Sequence, residues 1–232
     1  MARNLEQKSM KWLREPKRIL PLALLALLLM VSAKVQANES SNLIQQSIDA
    51  VYETLRADET RAREDPEFVI GVIKDEILPN VDADGMARLV LARHWRDASS
   101  EQRSRFTAAF TDALLQAYGV QLGEHLDKEV RIIERRSRQD DRMAVVATEV
   151  VMGSGQSNIQ VNYRMRPVDG DWKVFDVEAE GLSFVGNFRT RFNEEINRDG
   201  LDALIARLED GDEALIEDTV GDIEMNGGGE GS

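Results

Sequence analysis

Near residue 130 the spacing of apolar side chains changes from every third or fourth residue to every second, and the longer period returns only after Gly181. One block of period two between helical flanks predicts an antiparallel meander whose helices are segregated from it, an α+β domain. The βαβ alternation of a doubly wound nucleotide-binding sheet is missing, which disfavours that fold. Within the block, Val130 to Ile133, Met143 to Met152, Asn158 to Arg166 and Trp172 to Ala179 read as about four strands. Gly153 to Gln156 and Asp169-Gly170-Asp171 supply the turns. The third strand alternates most cleanly. Ile159, Val161, Tyr163 and Met165 point one way, and Asn158, Gln160, Asn162, Arg164 and Arg166 the other, so one sheet face is covered and one is wet.

The helical flanks carry their own punctuation. Leu43, Ile44, Ile48, Val51, Tyr52 and Leu55 share one face of a first helix. Asp65-Pro66 opens a second through Val69, Val72, Ile73, Ile77 and Leu78, and Pro79 stops it. Asp82 or Asp84 starts a third, expected to run through Val90 and His94 to Trp95. The longest pattern, Ser99 to Leu126, places Phe106, Ala109, Phe110, Ala113, Leu114, Ala117, Tyr118, Gln121 and Leu122 on one stripe, and Ser99 and Gln102 are spaced as a capping box. After the strands, Phe184, Phe188, Phe192 and Ile196 form one stripe and Leu201, Leu204, Ile205 and Leu208 another. There is no internal repeat.

The two ends differ from the middle. Six basic residues, the 13-residue apolar run Ile19 to Val31 and the small residues of Val35-Gln36-Ala37 lay out a secretory signal peptide, expected to be cleaved after Ala37. A membrane span needs about 20 apolar residues, which the run lacks. Residues 38–208 form the expected domain. Residues 209–232 hold nine acids, six glycines and no base, a composition expected to stay disordered, with room for a short helix around Glu213 to Val220. The signal removes seven bases and two acids, so 29 and 42 become 22 and 40, a net charge of −18 for the mature chain. Such a charge disfavours nucleic acid as a partner. With no cysteine, thiol chemistry and disulfides are excluded, and an exported chain depends on its core. A bacterial periplasm fits this combination.

Catalytic chemistry finds little to work with. His94 and His125 are the only histidines, and His94 sits late in a helix where the helix C-terminus favours it. GxSxG, HExxH and GxxxxGK[ST] motifs are absent. Asn80-x-Asp82-x-Asp84-Gly85 imitates half a calcium loop but has Leu91 where the bidentate glutamate belongs, so the aspartates read as helix caps. No catalytic residue, metal ligand or cofactor is expected. Periodicity alone leaves open whether the aromatic stripes build a core or line a cavity.

A set of collinear pieces decides that weighting. Val72-Ile73-Lys74-Asp75-Glu76-Ile77-Leu78-Pro79, Met86 to Ala98, Glu101-Gln102, Phe106 to Phe110 and Gln116-Ala117-Tyr118-Gly119 resemble the MlaC family of periplasmic phospholipid carriers, also called toluene-tolerance proteins. Trp172 to Val177, Glu180-Gly181-Leu182-Ser183 and Gly200 to Leu204 resemble that family's C-terminal half. The acidic tail after Leu208, and Asn80 with its neighbouring aspartates, depart from the pattern. The resemblance implies a non-enzymatic ABC transporter auxiliary that carries phospholipid as cargo between an outer-membrane lipoprotein–porin complex and the substrate-binding subunit of an inner-membrane transporter, maintaining outer-membrane asymmetry. It also implies a curved antiparallel sheet packed on N-terminal and C-terminal helices around an apolar cavity. Combined with periodicity, it assigns the lining to Val69, Ile73, Ile77, Val90, Phe106, Phe110, Leu114, Val146, Val150, Ile159, Val161, Tyr163 and Met165. A small hydrolase or isomerase using the same pocket, and a cavity-free protein-binding adaptor, are the alternatives.

Overall fold

A computed structural model describes residues 39–124, 128–153, 155–212 and 214–216; the signal segment, His125 and the last sixteen residues lie outside them. The order is α1 (Glu39–Ala57), α2 (Glu59–Glu64), α3 (Pro66–Glu76), a 3-10 turn (Leu78–Asn80), α4 (Ala83–Leu91), α5 (Arg93–Asp97), α6 (Ser100–Glu124), β1 (Glu129–Ile132), a 3-10 turn (Glu134–Arg136), β2 (Arg138–Gln139), β3 (Ala144–Val151), β4 (Ile159–Val168), β5 (Asp171–Ala179), β6 (Leu182–Ser183), α7 (Phe184–Asp199) and α8 (Leu201–Glu209). Side chains of α6 are described through Ala117.

The helix starts are built as the residues demand. The Asp65 carboxylate accepts from the Phe68 amide at 3.1 Å, and Pro66 occupies a position whose amide has no helical partner. The Ser99 hydroxyl accepts from the Gln102 amide at 3.1 Å while the Gln102 side chain accepts from the Ser99 amide at 2.9 Å, a reciprocal box. Asp82 caps α4 by accepting from the Gly85 amide at 2.9 Å. The same carboxylate takes the Arg166 guanidinium, whose Nε lies 2.6 Å away, and a side chain at Gly85 would collide with it. The helix expected to continue to Trp95 is instead broken at Ala92, whose φ of +48° ends α4 and starts α5 in a new direction.

The sheet is antiparallel in the order β1-β3-β4-β5-β6, with β2 also pairing β3. Four strands carry its length; β2 and β6 are two residues each, too short to show a period. Asp169 and Gly170 close the β4–β5 hairpin with φ of +54° and +97°, the pair of left-handed residues a two-residue turn of matching twist requires. A register shift between Arg164 and Met165 bulges β5. The Phe175 ring there lies between two guanidiniums, 5.5 Å from Arg164 and 5.7 Å from Arg166.

α1 joins the two halves. Its Ile44 packs on Ala144, Val146, Met165 and Val174 of the sheet, while Val51 and Leu55 pack on Val69, Val72 and Ile73 of α3. A third cluster lies among α4, α6, α7 and α8. Phe106 stacks on Phe110 at 5.5 Å, and Phe188 and Phe192 meet them edge-on at 5.1 to 6.0 Å. Buried Asp176 anchors the start of α7 by accepting from the Ser183 hydroxyl at 2.7 Å and the Val185 amide at 3.1 Å.

Packing continues beyond residue 208. Glu209 accepts both Arg105 nitrogens, at 2.9 and 2.6 Å, and Leu215 and Ile216 are 0% and 1% exposed against the third cluster. The acidic composition of the segment conceals this apolar pair. Residues 217–232 lie outside the described structure.

Candidate functional site

An apolar hollow of about 130 Å³ lies where α3, the first 3-10 turn, α4 and α6 meet. Ile73 and Ile77 form one wall; Leu78, Val81, Ala83 and Met86 form a second; Phe110, Thr111, Leu114 and Leu115 of α6 form the third. Thr111 is the one hydroxyl in that lining, and it donates to the Thr107 carbonyl at 2.8 Å rather than into the space. Pro79 creates the second wall by ending α3: its carbonyl accepts from Lys173 at 2.7 Å, and the Asp82 amide donates to the Val174 carbonyl at 2.8 Å. The wall is thereby tied to β5.

A second feature opens between α1 and β1. This groove, of about 340 Å³, is lined by Ile48, Asp49, Tyr52, Glu53 and Arg56 of α1 and by Lys128, Glu129 and Val130. Beyond it α1 leaves the end of the sheet's inner face partly open. Val150 and Val161 are half-buried and Ile159 is 37% exposed, whereas Val146 and Met165 on the same face are completely covered. Tyr163 sits between these regimes. Burial pushes its phenol up to about 12, with the neighbouring Tyr52 acting in the same direction, so it stays neutral. A third hollow, about 310 Å³ and polar, lies on the outer sheet face between Arg136, Arg138, Arg164 and Glu178.

The expected lining residues thus divide among several places. Ile73, Ile77, Phe110 and Leu114 meet at the hollow. Val150, Ile159, Val161 and Tyr163 lie on the sheet's inner face towards the groove. Val146 and Met165 pack against α1. Val69 packs between α1 and α3, and Val90 and Phe106 lie in the phenylalanine cluster, both away from the hollow. The expected lining omitted Leu78, Val81, Ala83, Met86, Thr111 and Leu115; Leu78 was counted on the second helix's stripe, and the non-repeating 3-10 segment Leu78–Asn80 breaks the helical count before Val81. The Leu-Pro break itself was the available signal.

Among the described residues, no three histidine, cysteine or acidic side chains gather as a metal site, and no helix is long and apolar enough to cross a membrane. His94 Nε2 lies 3.0 Å from the Asn193 side-chain oxygen, between α5 and α7 and outside the hollow's lining.

Comparison with known proteins matches residues 45–210 to the family model described as MlaC protein. The chain belongs to the MlaC family. One MlaC relative, the intermembrane phospholipid transport system binding protein MlaC of Haemophilus influenzae, is 23% identical over 169 residues, covering 72% of this chain and 79% of its own. The toluene tolerance protein ttg2D of Pseudomonas putida is 26% identical over 169 residues, covering 72% and 78%. A solved structure of the phospholipid-binding protein from Ralstonia solanacearum, in complex with a phospholipid, superposes with a TM-score of 0.67 at 23% identity over 75% of this chain and 97% of that one. The MlaC fold of a curved, open antiparallel sheet flanked by helices is therefore the fold of this chain.

Proposed function

We propose that this chain is a non-enzymatic phospholipid carrier of the periplasm, exported by a cleaved signal peptide. It takes lipid from one membrane complex and delivers it to another, with an outer-membrane lipoprotein–porin complex and the substrate-binding subunit of an inner-membrane ABC transporter as its partners and outer-membrane lipid asymmetry as the outcome. Membership of the MlaC family and the phospholipid named for its relatives support the cargo. The observation that carries the reading is the pairing of an apolar hollow lacking any inward-facing reactive group with a partly uncovered apolar sheet end.

Each methylene removed from water contributes about 0.8 kcal/mol, so a tail of about sixteen carbons represents roughly 13 kcal/mol before ordering costs. A carrier crossing an aqueous space must sheath such a tail. A pocket for a drug-sized ligand occupies about 300–1,000 Å³. At about 130 Å³ the hollow is smaller, so loading a tail separates α3 and α4 from α6. Unloading reverses this when a partner offers the tails an apolar path of similar depth. The test is extraction: delipidated mature protein is mixed with vesicles containing a fluorescent-tailed phospholipid and re-isolated. Stoichiometric label on the protein supports the carrier, and unlabelled, folded protein ends the proposal.

A further inference from the structure

We propose that the acidic segment 217–232 of this chain docks in the polar hollow on the outer face of the sheet, with its carboxylates on Arg136, Arg138 and Arg164. The hollow lies on the face opposite Val146, Tyr163 and Met165, so the proposal stands independently of the carrier reading. The register Arg138↔Val145↔Arg164 sets two arginines on either side of Val145, with neighbouring strands about 4.8 Å apart. Val145 is 7% exposed and forms the floor. Arg136 enters from the 3-10 turn before β2, and Asn162 from β4.

The charge of this hollow runs against that of the chain. Its lining holds three guanidiniums and one carboxylate, in a sequence with 42 acids and 29 bases. A guanidinium has five N–H donors, and few of these are used here. Arg136 gives Nη1 to the neutral Gln160 side chain at 2.6 Å, and Arg164 gives Nη1 to Asp176 at 3.3 Å. Arg138 makes no hydrogen bond or ion pair among the described residues. The acids close by are committed elsewhere. Asp176 is 2% exposed and also accepts from the Ser183 hydroxyl and the Val185 amide. Glu178 accepts from Asn162 at 3.0 Å, and Asp140 from the amides of Arg142 and Met143. Arg136 and Arg138 are therefore the unbalanced charges.

Residues 217–232 carry Glu217, Asp218, Asp222, Glu224 and Glu230 and no base, and carboxylates fit the donor fork of a guanidinium. Ile216, 1% exposed in the third cluster, ties the start of the segment to the folded domain. A coil of sixteen residues spans about 20–24 Å, whereas a domain of this size has a radius of gyration of about 15 Å. Such a tether holds its acids near the hollow at an effective concentration on the order of millimolar, enough for weak ion pairs to form. An acidic surface approaching these arginines must first displace the segment.

The chain has no cysteine, so Asn226→Cys places a single nitroxide label in the mature protein without altering its charge. Paramagnetic broadening is then read at backbone amides by NMR. Val145 and Asn162 are expected to broaden more than Val51 and Leu55 of α1. The double substitution Arg136→Gln with Arg138→Gln should reduce that broadening about 5-fold, the weight of about two exposed ion pairs. Asp222→Asn with Glu224→Gln, which alters no contact of the folded domain, should reduce it similarly. So should 1 M salt, where the screening length is about 3 Å. Equal broadening of α1 and the outer face, or broadening that survives the substitutions and the salt, overturns the proposal. So does broadening of the same size in an unlabelled, isotope-enriched copy mixed with labelled protein, which would assign the hollow to the segment of a second copy.

Discussion

Filling the hollow separates a binding space from a packing defect. Ala83 lines it from the first position of α4, immediately after the Asp82 cap, where leucine is compatible with the helix. The three carbons added by Ala83→Leu contribute about 2 kcal/mol when buried in the hollow, at about 0.8 kcal/mol each. The matched domain spans residues 45–210, a size at which 1 kcal/mol moves Tm by about 2–4 °C. Delipidated Ala83→Leu should therefore melt about 4–8 °C higher than delipidated wild type in differential scanning calorimetry, and should lose phospholipid uptake in the vesicle assay. A lower Tm would show that there is no space to fill. A higher Tm with full uptake would remove the hollow from the binding path.

Replacing Leu215, which is 0% exposed, by alanine should cost about 2–4 kcal/mol in urea unfolding; an unchanged midpoint would detach the segment after residue 208 from the core. Ala92→Gly should raise stability by about 1 kcal/mol, because φ of +48° strains alanine and not glycine, and a loss on urea titration would contradict that reason. Arg105 holds the Glu209 carboxyl below its ordinary value of 4.5, so its contribution is complete above that pH and is lost as pH falls through the lower folded value. The Tm gap between wild type and Glu209→Gln should accordingly be largest near neutrality and close in acid; a gap that is constant with pH would refute the linkage.

The helix caps were the most legible part of the sequence, since each depends on one side chain and one amide a few residues away. Asp65, Asp82 and Ser99 with Gln102 all form the bonds their spacing implies. β4 was legible because its apolar and polar residues alternate, and β3 because its run of small and β-branched apolar residues, buried from Ala144 to Thr148, suits a strand. Two-residue strands carry no pattern, and nothing around Ala92 marks a positive φ, so β2, β6 and the α4–α5 break were out of reach. The site was harder. A helical stripe records that a face is buried, not what faces it, and so Phe106 and Leu114 look alike in sequence. One lies in a ring cluster with Phe110 and Phe192, and the other borders the hollow. The groove combines charges from α1 with Lys128 and Glu129 more than seventy residues later, a juxtaposition only the register of β1 on β3 creates.

Native mass spectrometry of the mature protein, taken directly after purification without added lipid, tests the central claim most directly. The carrier account predicts a population heavier than the bare chain by the mass of phospholipid, which is released on collisional activation and read as a phospholipid by fragmentation. A spectrum containing only the bare chain, unchanged after incubation with phospholipid vesicles, would contradict it.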